Sequence, residues 1–251
     1  MRTVTAGAAR RLGGVAALAI VMLVLVAGCS APRQATPEAG SGTNEPSPTR
    51  PVPGASSTPV PVPGPEAELE RVRGLVARPD VLELRDGDGA VVTTLSYMSA
   101  AGEAIAALSV VFDGPPSSEE YSGTMHSPPG VRHRWGGFVL DERLYDEQMR
   151  SDKELDYLVW PRFAIFFDAP AGNDIPMSSV QGIQAGDSWE FASAQPGFDS
   201  ELFTCVGTPV DVLDISAPDG TAAQATVIVL ESDEGSVRWV AAPEMVADGC
   251  A

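Results

Sequence analysis

Only two histidines occur in the 251 residues, His126 and His133, and they stand seven apart in a stretch rich in Pro, Gly and Arg. Histidine titrates near neutrality and is the commonest metal ligand. A separation of seven in a loop fits no metal-ligand pattern, so a surface or turn role is expected for both. Ser188 stands in Gly186-Asp187-Ser188-Trp189, which lacks the Gly-x-Ser-x-Gly elbow of a hydrolase nucleophile; the start of a helix is its expected place. Asp86-Gly87-Asp88-Gly89 begins like a calcium loop but lacks the later ligands and the bidentate Glu, so a hairpin turn is expected instead. The acid clusters Glu119-Glu120, Asp141-Glu142, Asp146-Glu147 and 152–156 offer the two carboxylates that glycan cleavage requires. With 31 acids in residues 67–251, chance pairs are common and solvated faces are the simpler expectation. The sequence therefore predicts no catalytic constellation, no metal site and no cofactor.

Charge narrows the partners. The chain has 16 Lys+Arg against 34 Asp+Glu, a formal charge of −18, which excludes a nucleic-acid binder held by phosphate contacts. The excess lies in residues 67–251, with 11 basic and 31 acidic side chains. Such a surface keeps copies apart and predicts a monomeric domain whose protein partner, an envelope component, presents a basic face.

Residues 1–11 hold Arg2, Arg10 and Arg11 and no acid, and residues 12–28 carry no charge. This is the pattern of a secretory signal peptide. Seventeen uncharged residues make about 26 Å of helix, short of the roughly 20 residues a bilayer span prefers. The run ends in Val26-Ala27-Gly28-Cys29, which resembles the lipobox of bacterial lipoproteins. The resemblance implies cleavage between Gly28 and Cys29 and diacylglycerol on the Cys29 sulfur. Two or three acyl chains, at about 0.8 kcal/mol per buried methylene, would then hold the protein to the lipid bilayer at the outer face of the cytoplasmic membrane. With Cys29 lipidated, Cys205 and Cys250 remain for an oxidising compartment, and a disulfide is expected over a metal pair or two free thiols. That bond closes a 46-residue loop, worth about 4 kcal/mol in the chain-entropy picture.

Three segments follow from these boundaries: a signal peptide over 1–28, a tether over 29–66 and an extracytoplasmic domain over 67–251. Residues 30–66 contain 23 Pro, Gly, Ser or Thr, ten of them proline. They have too few large apolar groups to offset the entropy of ordering, so a polyproline-rich spacer is expected.

Within the domain an α+β fold with antiparallel sheets is expected. Residues 81–85 and 91–97 alternate and flank Asp86–Gly89, which predicts a hairpin. Ser99 is expected to cap a helix whose apolar positions are Ala101, Ile105, Leu108 and Phe112, stopped by Gly114-Pro115-Pro116. Extended segments are expected at 134–140, 157–160 and 163–167, with a solvated insertion over 142–156. Asp187 and Glu190 form an Asp-x-x-Glu capping box for a short helix ended by Pro196-Gly197. Strands are then expected at 203–206, 223–230 and 237–240. One helix per half, over 67–175 and 176–251, raises tandem helix-plus-strands modules. Trp135, Trp160, Trp189 and Trp239 fall in strands or at a helix start, where aromatic side chains are core, with an exposed pair as the alternative platform for a glycan or partner.

The segments Phe112–Pro116, Trp135–Phe138, Val159–Phe163 and Gly182–Trp189 together resemble uncharacterised secreted lipoproteins of actinobacteria, a family that implies no activity. Gly182-Ile-x-x-Gly before a helix and strands is also similar, at the level of fold, to the helix-plus-sheet module of β-lactamase inhibitor proteins. The expected function is a membrane-anchored binding or scaffolding module rather than an enzyme. The alternatives are an envelope glycan hydrolase using a carboxylate pair, and a solute-binding lipoprotein.

Overall fold

The computed structural model describes residues 64–124, 128–145, 161–202, 204, 206–216 and 222–246. Helix α1 (Pro65–Leu69) is the first element of the described residues, with Pro at its first turn. Strands β1 (Gly74–Ala77), β2 (Val81–Arg85) and β3 (Val91–Ser96) form an antiparallel meander. Leu82 and Leu84 are buried while their neighbours are half-exposed, the alternation of a strand with one wet face. The β2–β3 turn is made by Asp86, whose carboxylate accepts the N–H of Asp88 at 3.0 Å and of Ala90 at 2.9 Å. Gly89 follows at φ +82°, a conformation a side chain would strain. The expected hairpin is therefore the observed one.

Helix α2 (Ala101–Val111) buries Ala101, Ala104 and Leu108 on a single stripe. Its N-cap is Ala100, and no side chain caps it; Ser99 does not take the expected role. Next come β4 (Ser117–Tyr121), β5 (Gly130–Trp135) and β6 (Phe138–Arg143). The single extended segment expected over 134–140 is instead the tip of the β5–β6 hairpin, turned by Gly136 at φ +58°. After β7 (Phe163–Phe167), β8 (Ala171–Gly172) and β9 (Ile175–Ser179), helix α3 (Trp189–Ser193) precedes β10 (Thr208–Ser216), β11 (Ala222–Glu231) and β12 (Val237–Val246).

Two sheets result, a five-stranded one in the order β3-β2-β1-β9-β8 and a seven-stranded one in the order β10-β11-β12-β7-β6-β5-β4. Pairing is antiparallel except between β1 and β9, where Leu75 lies beside Met177. The fold is α+β, mostly antiparallel sheet with few helices. The tandem-module arrangement does not form. β9 spans the expected boundary and completes the first sheet, and β12 pairs with β7 to complete the second. A half-chain would leave both sheets with raw edges and an uncovered core, so the sheets fold as one unit.

That core is continuous from sheet to sheet. Leu75, Leu82, Leu84 and Met177 of the first sheet join Phe138, Leu140, Phe163, Ile165, Phe167, Val227, Val229 and Val240 of the second, with Leu108 of α2. Phe112 stacks on Trp135 at 5.6 Å and tilts against Phe138 at 5.3 Å. Gly172 lies so close to Phe112 and Phe138 that a Cβ there would press on both side chains and on the Trp135 carbonyl. Among the described residues no helix is long and apolar enough to cross a membrane.

Candidate functional site

Strands β4, β5 and β6 bring three polar side chains together on the core-facing side of the second sheet. Ser118 lies directly across from His133, and Glu142 pairs with Val131, two residues along from His133 on the same face. The long Glu142 side chain covers that diagonal step. Its Oε2 is 2.9 Å from His133 Nε2, and Ser118 Oγ is 2.9 Å from His133 Nδ1. His133 is 9% exposed, whereas Ser118 is exposed. A carboxylate can only accept, so Nε2–H donates to Glu142, and in the tautomer this selects Nδ1 is left to accept from the Ser118 hydroxyl. Carboxylate, imidazole and hydroxyl thus stand in line, the order in which a base is oriented and a hydroxyl polarised.

Glu142 also borders a cavity of about 420 Å³ at the start of α2. Ala101 and Gly102 supply the helix end, and Arg143, Tyr145 and Arg162 the opposite wall. The volume is in the range of small-molecule sites. The first N–H groups of a helix lack intrahelical partners and carry the positive end of its dipole, and here no side chain caps them. Arg162 stacks over the Tyr145 ring at 5.2 Å, and its carbonyl accepts the Arg143 N–H at 3.0 Å. Arg162 thus borders the concavity beside the helix end, while the charge of Arg143 acts on Asp141 and Glu244.

On the opposite face of the same strands, Tyr121, Arg132 and Asp141 form a second polar group. Arg132 lies 4.8 Å above the Tyr121 ring and 3.8 Å from Asp141. Burial pushes the Tyr121 hydroxyl up to about 12, with the Asp141 charge and hydrogen bond adding to it. Burial also raises the Asp141 carboxyl, against the pull of Tyr121, Arg143, Arg132 and His133. Glu244 on β12 is raised by burial as well, with Arg143 as its counterweight. The space for Tyr121 comes from Gly130, where a Cβ would collide with the tyrosine hydroxyl and with the Glu142 carbonyl.

The placements revise several expectations. His133 is not a loop or surface residue: it sits mid-strand on β5, nearly buried, with both ring nitrogens engaged. Asp141 and Glu142 do not converge, because neighbours on a strand face opposite sides and each meets a different partner. Glu119 and Glu120 are split in the same way across exposed β4. Ser188 starts α3 as expected and accepts the Phe191 N–H at 3.2 Å. The capping box does not form, since Asp187 turns back to the Gln184 N–H at 2.8 Å. Trp135 is core and donates to the Gly114 carbonyl at 2.9 Å, Trp189 packs on Phe198 against the core, and Trp239 packs on Phe166, both half-buried, on the face of the second sheet away from that core. Gly28, Cys29, His126, Trp160, Cys205, Cys250, Asp146-Glu147 and 152–156 lie outside the described residues. Among the described residues no group of three or more His, Cys, Asp or Glu is placed to hold a metal ion.

Compared with known proteins, the chain matches no family model, no curated protein and no solved structure.

Proposed function

We propose that this chain is a binding module of the cell envelope, held at the outer face of the cytoplasmic membrane by acylated Cys29 and spaced from it by the tether. Its domain takes a small ligand bearing an anionic group in the cavity at the start of α2. The observation that carries this reading is the meeting there of an uncapped helix N-terminus with Arg162 on a domain with 31 acids and 11 basic residues. Such a domain repels anions over most of its surface, so a cationic concavity is selective for an anion presented in the right shape. Glu142 on the rim adds an acceptor, which favours ligands that carry a donor beside the anionic group.

The reading is tested by the melting temperature of the purified chain in inorganic phosphate, citrate and N-acetylmuramate. A ligand at 100 times its Kd stabilises by about 2.7 kcal/mol, or roughly 5–10 °C for a domain of this size. A saturable rise with at least one anion is expected, and it should be absent in Gly102→Trp. Gly102 has open space where its Cβ would stand, so a large side chain enters the cavity without straining the helix. No rise with any anion, or an equal rise in the variant, overturns the proposal.

A further inference from the structure

The line Ser118–His133–Glu142 goes beyond the binding reading and shares only Glu142 with it. We propose that Ser118 is an activated nucleophile, with His133 as its base and Glu142 as the residue that positions that base. Three observations carry this. Both hydrogen bonds of the line are 2.9 Å, the reach that nucleophile and base require. The hydroxyl is exposed while the imidazole behind it is nearly buried, so a substrate can reach the oxygen and bulk water is kept from the base. The serine also lies on β4, the edge strand of its sheet, where alternate backbone N–H groups point away from the sheet and are free to meet an oxyanion.

The acid is on Nε2 and the hydroxyl on Nδ1. Either imidazole nitrogen accepts a proton, and the carboxylate fixes which one is left to do so. Glu120 lies two residues along β4 on the same side as Ser118, and Glu142 lies behind His133. A substrate therefore approaches past two acids, and the class selected is a neutral or cationic carboxylic ester rather than an anionic one. In the acyl-transfer step the Ser118 Oγ–C bond forms and the ester C–O bond breaks. The hydroxyl proton passes to His133 Nδ1 and then to the departing alcohol. Water repeats the sequence on the acyl-serine, releasing the acid and restoring the hydroxyl.

The test is covalent labelling of the purified full chain by a neutral fluorophosphonate. Here Oγ–P forms, P–F breaks, fluoride leaves and the proton goes to His133. Peptide mass spectrometry is expected to place the adduct on Ser118, with the other serines of the chain unlabelled. A general base contributes about 10²–10⁴ in rate, so His133→Gln should slow labelling at least about 100-fold and Ser118→Ala should abolish it. Glu142→Gln keeps the shape and an acceptor for Nε2–H; a slower labelling rate at an unchanged melting temperature marks a positioning role that a purely structural residue would not show. No adduct on Ser118 of the unaltered chain, or a rate indifferent to His133→Gln, overturns the proposal. Since the first of these is read on the natural sequence, misfolding of a variant does not decide it. Labelling of Ser118 in the unaltered chain supports the nucleophile even where the anion cavity fails its own test.

Discussion

Replacing Gly130 by Ala should destabilise the β4–β5–β6 end of the second sheet. The added Cβ meets the Tyr121 hydroxyl and the Glu142 carbonyl at separations real Cβ atoms do not show. A tyrosine can swing away, but the carbonyl belongs to the β5–β6 ladder and cannot move without opening it. Overpacking of this kind costs about 1–3 kcal/mol, and the backbone contact puts this site at the upper end, near 3 kcal/mol. For a domain of this size that lowers Tm by roughly 6–12 °C. Tyr121→Phe alone removes the bond to Asp141 and costs about 1–2 kcal/mol. In the double variant the phenyl ring no longer presents its oxygen to the new methyl, so the combined loss should fall short of the sum by at least about 0.5–1 kcal/mol. Urea unfolding of the four proteins gives the coupling directly. A neutral Gly130→Ala, or losses that add to within error, would refute the packing described for this face.

Three further outcomes follow from the same structure and sequence. Glu244 has its folded pKa raised above the ordinary 4.5 by burial, so the folded state holds that proton more tightly, and the stability it contributes is present below 4.5 and lost as pH rises through the folded value. Glu244→Gln should therefore be more stable than the natural chain at pH 7 by urea midpoint, and the difference should vanish as pH falls below 4.5. Cys29→Ala should release the protein from the membrane pellet on fractionation; quantitative sedimentation of the variant would contradict the lipid anchor. Mass spectrometry of unreduced protein should show Cys205 bonded to Cys250, and two freely alkylated thiols would contradict it.

What the sequence discloses is local. The β2–β3 hairpin is legible because alternation and an Asp-Gly turn are written within 16 residues, Val81 to Ser96, and α2 is legible from its apolar spacing and its Gly-Pro-Pro stop. Gly136-Gly137 carried the signal that splits β5 from β6, but an apolar run on both sides reads as one strand. The pairing of β1 with β9 joins segments about a hundred residues apart, and no local pattern specifies it. The same holds for the Ser118–His133–Glu142 line. Its members come from three strands, and only cross-strand register puts them on one face. A histidine beside Arg132 and Arg134 reads as part of a polar loop until the alternation of β5 turns those two outward and His133 toward the core.

The central claim, that the cavity at the start of α2 binds an anionic group, is tested most directly by the amide resonances of Ala101 and Gly102. Titration of the purified chain with inorganic phosphate should move these two signals, and those of Glu142 to Tyr145, along saturable curves. Choline chloride at equal ionic strength should leave them in place, and in Gly102→Trp phosphate should not move the signals of Ala101 and of Glu142 to Tyr145. Small, unsaturable shifts spread over the whole domain, or the same saturable response in Gly102→Trp, would contradict it.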